Sequence, residues 1–349
     1  PALQPDAELH VGAGDHEVKT HAVKTLDTAA LLAHDRAMER RLFISSLLAG
    51  PAFGQAIADG TAQTAEAVVE RAAAGKPHAG KVLAAIQPHA DDIPLFAGGT
   101  VAKLIDEGYT GHLIRMSNDD MAGPGTVGET VLANERDNRA VAAALGLKKV
   151  FNLNYSNHQM DQESMLEIRA RLIFLFRLLQ VDTVISYDPY GHYEENPDHT
   201  VTARAVETAC WMAGMGKDYP EHFEAGLKPH AVREKYYFSR GPQLVNRVVD
   251  ITPYIGRKVA ANRANLAQGP AGEAGARLRR SLAEKGQRLP VLGSSDEEAN
   301  DAYIREILLQ RDLETGRRHG LRWAEPYHYI GPAEDTVGEY VRKNAVPMK

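Results

Sequence analysis

The stretch that decides the fold runs from Lys81 to Thr100, KVLAAIQPHADDIPLFAGGT. Val82 to Ile86 is a short apolar run with the length and composition of a buried strand. Pro88 stops it, and His89, Asp91 and Asp92 follow on the loop at its carboxyl end. Pro94 suits the first turn of a helix, and Leu95, Val101, Leu104 and Ile105 give that helix one apolar stripe. Open parallel sheets bind their ligands outside the carboxyl ends of the strands. Metal-binding and proton-carrying side chains crowded at such a place point to chemistry.

Downstream the pattern alternates strand and helix. Strands are predicted at 111–117, 150–155 and 183–187, and helices at 129–145, 163–179 and 199–213. Gly146 suits a helix C-cap and Asp198 a helix N-cap. This succession implies a mostly parallel sheet covered on both faces. After Gly214 two more strands are expected, at 236–239 and 248–251, then helical stretches near 254–267, 273–286 and 295–319. Upstream, residues 1–26 read as a polar arm, 28–74 as mostly helical and Ala-rich, and 75–80 as a linker. The expected organisation is therefore an arm and helical extension over 1–78 and one α/β domain over 79–349. That domain has a Rossmann-like, mostly parallel sheet with helices on both faces, and C-terminal helices around the cleft.

Composition narrows the chemistry. The formal charge of −6 and the lack of a basic block give no support for a nucleic-acid surface. Cys210 is the only cysteine, which excludes an intramolecular disulfide and a cysteine-based zinc knuckle. Any metal is held by histidine and carboxylate. No apolar stretch reaches the length of a membrane span. Met38-Glu-Arg40-Arg41 followed by an apolar run to Ala49 and small residues to Ala56 has two readings. One is a buried helix of the extension, which favours a cytoplasmic protein. The other, if Met38 is the true start, is a twin-arginine export signal over 38–56.

His89 and Asp92 share one tight turn, and His199 opens the helix after the fourth strand, on the same sheet edge. Two imidazoles and a carboxylate leave a position open, which is the donor set of a catalytic zinc. Asp91 is left beside them as a carboxylate able to take and return a proton. The spacing His-x-x-Asp alone describes helix caps and loop contacts equally well, and the chain has 14 histidines. The convergence of two segments on one edge is what favours a metal. Iron(II) suits the same donors.

These residues resemble the PIG-L/LmbE-like zinc-dependent N-acetylglucosaminyl deacetylases. That family has Pro/Ala-His-x-Asp-Asp after its first strand and His-Pro-Asp-His further on. Here the two motifs read Pro88-His89-Ala90-Asp91-Asp92 and Asn196-Pro197-Asp198-His199. Gly98-Gly99, the Ala-rich helix ending at Gly146, Val249-Asp250-Ile251-Thr252 and the segment Gly320 to Glu325 extend the likeness over about residues 80–330. The resemblance implies His89, Asp92 and His199 as zinc ligands and Asp91 as general base. Asn196 stands where the family has the histidine that steadies the oxyanion. The resemblance thus leaves that task to Asn196 or to His192, four residues earlier in an expanded loop. Asp198 reads as a helix cap or as the partner that orients a ligand imidazole. The helix after Gly128 carries Asn134-Glu-Arg136-Asp-Asn138, an altered polar set. Arg136, with Asp120 from the loop after the second strand, is the candidate contact to substrate.

The expected activity is zinc-dependent removal of an N-acetyl group from a GlcNAc-type sugar or sugar conjugate. Two alternatives remain: an amidase taking a larger acyl or peptide-like group on the same metal, and a non-catalytic Rossmann-like binding domain. Against the last, no Gly-x-Gly-x-x-Gly turn follows the first strand. The expected partner is a small N-acetylated sugar or glycoconjugate, and homo-oligomerisation is left open.

Overall fold

The computed structural model describes residues 67–332 and 336–347. The arm and the 38–56 segment lie outside them. Eight strands form one sheet: β1 (Val68–Glu70), β2 (Val82–Gln87), β3 (Thr110–Ser117), β4 (Lys149–Tyr155), β5 (Thr183–Tyr187), β6 (Glu234–Phe238), β7 (Arg247–Asp250) and β8 (Ala324–Ile330). Their order is β1-β7-β8-β6-β5-β2-β3-β4. β8 runs antiparallel to both its neighbours, and every other pairing is parallel. The expected mostly parallel α/β sheet is what the chain forms.

β2 and β5 pair in the middle, Leu83 with Thr183 and Ala85 with Ile185. Both are buried almost throughout, as strands covered on two faces must be. Alternation sends Leu83 and Ala85 into one core and Ala84 and Ile86 into the other. The first core is closed by α2 (Gly98–Asp106), α3 (Val127–Leu145) and α7 (Ile255–Ala264). The second is closed by α4 (Met165–Leu179) and α5 (Pro197–Ala213). From β2 the chain passes outward to β3 and β4, then crosses to β5 on the other side. That reversal opens a crevice at the carboxyl ends of β2 and β5.

Several boundaries differ from expectation. The helix after β2 is two helices, α1 (Asp92–Phe96) and α2, broken at Ala97 (φ −141°). The buried Glu325 carboxylate accepts the amides of Gly99 and Thr100 at 2.9 and 2.8 Å and so caps α2 from another element. Gly99 must be glycine, because a Cβ there would lie 2.6 Å from the Ile251 side chain. Residues 68–70, expected as helix, form edge strand β1. β8 was not anticipated as a strand, since Pro326 cannot donate to a ladder. It sits between β6 and β7 nonetheless. The 295–319 helix divides into α9 (Asp296–Tyr303), a π-helical turn Ile304–Leu308 and α10 (Gln310–Arg318). The remaining helices are α6 (Pro220–Glu224), α8 (Ala274–Glu284) and α11 (Thr336–Asn344). Among the described residues no helix is long and apolar enough to cross a membrane.

Lys258 of α7 joins these pieces. Its Nζ lies 2.5 Å from Asp312 of α10 and 2.7 Å from Glu325 of β8, all three buried. Lys258→Met leaves two carboxylates buried without their cation. We expect it to lower unfolding stability by about 3–5 kcal/mol, read by urea denaturation. A loss within about 0.5 kcal/mol would show that the cluster contributes little.

Candidate metal centre

Gln87, the last residue of β2, sets the turn that carries the first motif. Its Oε1 accepts the Ile93 amide at 3.0 Å, and its Nε2 donates to Asn138 Oδ1 of α3 at 2.9 Å. Asp119, just after β3, holds the middle of the turn by accepting the Ala90 amide at 3.2 Å. Asp119 is itself buried against Arg115 and Ser117 and adopts a left-handed backbone (φ 57°). His89, Asp91 and Asp92 thus rest on a turn fixed from β2, α3 and β3 at once.

His89, Asp92 and His199 come together, buried, with ligand atoms all within 4.8 Å of one another. His89 Nδ1 lies 3.0 Å from His199 Nε2 and 3.6 Å from Asp92 Oδ2. His199 Nε2 lies 3.7 Å from Asp92 Oδ1. The outer ring nitrogens are engaged elsewhere. His89 Nε2 meets Asp198 Oδ2 at 3.0 Å, and His199 Nδ1 faces Glu194 Oε1 at 3.1 Å. Those carboxylates draw the ring protons outward. What remains inside is two imidazole lone pairs and a carboxylate aimed at one point, an arrangement only a proton or a cation can satisfy. The donor set therefore fits a divalent metal of the zinc or iron(II) type.

Each ligand is braced. Tyr187, ending β5, donates its hydroxyl to Asp92 Oδ1 at 2.7 Å and stacks on the His199 ring with centroids 4.2 Å apart. Asp198 also accepts the amides of His158 (2.6 Å) and Met160 (3.1 Å). Glu194 is bound by Arg240 Nε at 3.0 Å. The electrostatics follow. Burial pulls the His89 imidazole down, but its contacts with Asp198 and Asp92 outweigh that and raise it well above its usual 6.5. Burial pushes Asp92 up, yet His199, His89 and Tyr187 bring it down to about 2. Asp91 goes the other way, to about 7, because burial and then the Asp92 charge disfavour its anion.

Asp91 stands at the start of α1 beside the cluster, half-buried, and accepts no capping bond on its side chain. Asn196 caps α5, its Oδ1 accepting the Asp198 amide at 2.9 Å. Asp198 is not the helix cap expected of it, since Asn196 takes that position; it lies in the first turn of α5 with its Oδ2 against His89 Nε2. The expanded loop leaves His192 exposed, with its ring near Tyr193 (6.3 Å). No contact of that ring with the cluster exists among the described residues. Asp120 spends both carboxylate oxygens on Ser156 and the Asn157 amide, each at 2.9 Å. Arg136 is exposed, on the opposite side of α3 from the buried Asn134, Asp137 and Asn138. Sequence reasoning did not single out Tyr187, Glu194, Arg240 or Asp119. Their signal is positional only, each lying at a strand end or in the loop that follows.

Residues 84–210 match the family described as PIG-L, GlcNAc-PI de-N-acetylase. A relative from Thermococcus kodakarensis, named diacetylchitobiose deacetylase, is 27% identical over 194 residues, covering 54% of this chain and 71% of that protein. Among solved structures, the N,N'-diacetylchitobiose deacetylase of Pyrococcus horikoshii is similar with a TM-score of 0.58 at 24% identity, over 72% of this chain and 84% of the other. GalB, the 4-carboxy-2-hydroxymuconate hydratase of Pseudomonas putida, is similar with a TM-score of 0.52 at 18% identity, over 73% and 98%. The last two establish the fold. Since proteins named for different reactions share it, the chemistry has to be argued from this chain's own residues.

Two measurements follow from this geometry. Elemental analysis of purified protein is expected to find one divalent ion per chain, absent in His89→Ala. Adding zinc to chelator-treated protein at 100 times its dissociation constant should stabilise folding by about 2.7 kcal/mol. Glu194→Gln removes the carboxylate facing His199 Nδ1, and zinc affinity should fall by about 10–100-fold in a competition titration. Unchanged affinity would mean that Glu194 does not orient the ring.

Proposed function

We propose that the chain is a zinc-dependent amidohydrolase that removes the N-acetyl group from a GlcNAc-type sugar or sugar conjugate. The observation that carries this is the half-buried Asp91 carboxylate beside two inward imidazole lone pairs and the Asp92 carboxylate. The PIG-L match and the relative named diacetylchitobiose deacetylase support the substrate class.

His89, Asp92 and His199 hold the cation, and iron(II) is the other ion the donor set admits. When bound, such an ion acts as a Lewis acid toward an acyl oxygen and lowers the pKa of a water. Asp91 takes the proton of the attacking water and delivers it to the departing nitrogen. A carbon–oxygen bond forms, the carbon–nitrogen bond breaks, and acetate and the free amine leave. Of the two candidates for steadying the oxyanion, Asn196 is the better supported. Its Oδ1 is pinned by the Asp198 amide, which leaves its NH₂ as a donor three residues from His199. One such donor is worth about 3 kcal/mol of transition-state stabilisation. Asp198 and Glu194 act through the ligands, keeping both rings in the tautomer that presents a lone pair.

The test is acetate release from a panel of N-acetylated amino sugars and their conjugates by zinc-loaded protein. Asp91→Asn should keep its zinc and lose about 10²–10⁴-fold in kcat. Equal release by both proteins would remove Asp91 from the role of base. No acetate release from any sugar, with zinc bound, would refute acetyl as the acyl group and favour the amidase that takes a larger one.

A further inference from the structure

The surroundings of Asp91 are polar on one side and apolar on the other. In the loops after β3 and β4, Asp120 and Ser156 bond each other at 2.9 Å, and His158 follows with its ring 5.9 Å from that of His89. Toward β6 lies a cavity of about 200 Å³ whose lining includes Leu95, Phe96, Phe238, Pro270, Leu309 and Arg311. It adjoins the metal centre on three counts. Leu95 and Phe96 follow Asp91 and Asp92 by one turn of α1, about 6 Å along the axis. Phe238 packs on Tyr187, which touches Asp92 and His199 (ring centroids 4.6 Å apart). Pro270 follows Gly269, where a Cβ would come within 2.7 Å of Asp91 Oδ2.

The cavity is built by an irregularity of the chain. The π-helical turn Ile304–Leu308 interrupts what would be one helix and ends at Leu309, which lines the cavity together with Leu308. Such turns concentrate at functional sites. Its one cation, Arg311, is half-buried, lies 5.9 Å from the Phe96 ring centroid and donates to the Ser239 carbonyl. Among the described residues no carboxylate pairs with it. The neighbouring Asp312 is engaged by Lys258.

An N-acyl sugar has the same two-sided polarity about its scissile bond. We infer that the polar side receives the sugar and the cavity receives the acyl group. That group is then longer than acetyl, about six heavy atoms of chain or ring, and ends in an anion that pairs with Arg311. Size decides the first point: a cavity of about 150 Å³ holds a benzene ring, so one methyl would leave most of this one empty. Charge decides the second: the lining carries Arg311 and Asp312, the Asp312 carboxylate is held by Lys258 at 2.5 Å, and Arg311 is left as the charged group of the lining that an anionic chain end can pair with. This rests on the amidohydrolase reading above and uses the same bond changes, with a dicarboxylate leaving in place of acetate.

The experiment compares kcat/KM of the zinc-loaded full chain for N-acetyl-, N-hexanoyl- and N-(5-carboxypentanoyl)-glucosamine, following the amine released. We expect hexanoyl to exceed acetyl by about tenfold or more, and the carboxylated chain to exceed hexanoyl by about tenfold or more. In Arg311→Met the ratio between the last two should fall to about one, and Leu309→Trp, which fills the cavity, should restore preference for acetyl. Acetyl as the fastest substrate, with ratios unmoved in both variants, overturns the subsite and leaves the deacetylase reading standing. If either variant fails to fold by circular dichroism, the wild-type order of substrates decides. If no substrate is cleaved, the hydrolase reading fails. Calorimetric titration of hexanedioate against hexanoate then decides the cavity: tighter binding of hexanedioate supports it, and equal binding overturns it.

Discussion

Which nitrogen of each imidazole carries the proton is the constraint on which the whole centre depends. His89 and His199 bring ring nitrogens to 3.0 Å, a distance at which two lone pairs repel unless something positive lies between or beside them. Asp198 and Glu194 impose that situation from outside. The pressure appears in the acids and bases themselves, with His89 driven toward its cation and Asp92 toward its anion. A metal ion in place of the proton would relieve the same strain, so the buried cluster is one that could hold a metal. Asp91 differs because it has no such partner. It is the one acid of the turn free to exchange its proton.

The scaffold delivers these groups through parallel pairing. β2 and β5 are neighbours with opposite onward connections, so the loop after one and the helix after the other meet at one edge. Holding that edge still falls to polar contacts made well behind it. Glu325 supplies the start of α2 with the acceptors its first amides lack, and Lys258 compensates Glu325. The break at Ala97 separates α1, which carries the site, from α2, which packs in the core. The short helix can therefore follow the turn while the longer one follows the sheet.

Much of this was legible in the residues, and the exceptions share a cause. The β2 strand, the turn after it and the helix expected at 199–213 announce themselves by local pattern, so the three residues that the structure brings together could be chosen without coordinates. β8 could not, because a proline and a buried glutamate contradict the local pattern of a central strand and only the β6 and β7 partners override it. Tyr187, Glu194 and Arg240 escaped for a similar reason. They act across the crevice on residues distant in sequence, and neither spacing nor periodicity encodes such contacts. Asp120 and Arg136 erred the opposite way: charged residues near the motif suggest substrate, yet one braces a loop and the other faces water.

That last difference has a physical reading. The altered polar set of α3 serves the loops on either side of Asp91. Asn134 Nδ2 donates to the carbonyls of Asp119 (3.2 Å) and Ala122 (2.8 Å), fixing the loop after β3. Asp137 Oδ2 accepts the amides of Leu266 and Ala267, both at 2.6 Å, fixing the loop that brings Gly269 against the Asp91 carboxylate. Asp91 is thus enclosed by two loops anchored on one helix, the loop after β3 and the loop that leads to the cavity. Exchanging substrate-contacting charges on α3 for loop anchors moves the control of specificity from the helix to those loops. In the proposed reading the residues that select the substrate lie where the loops meet the cavity, at Pro270 and Arg311, rather than on the helix itself.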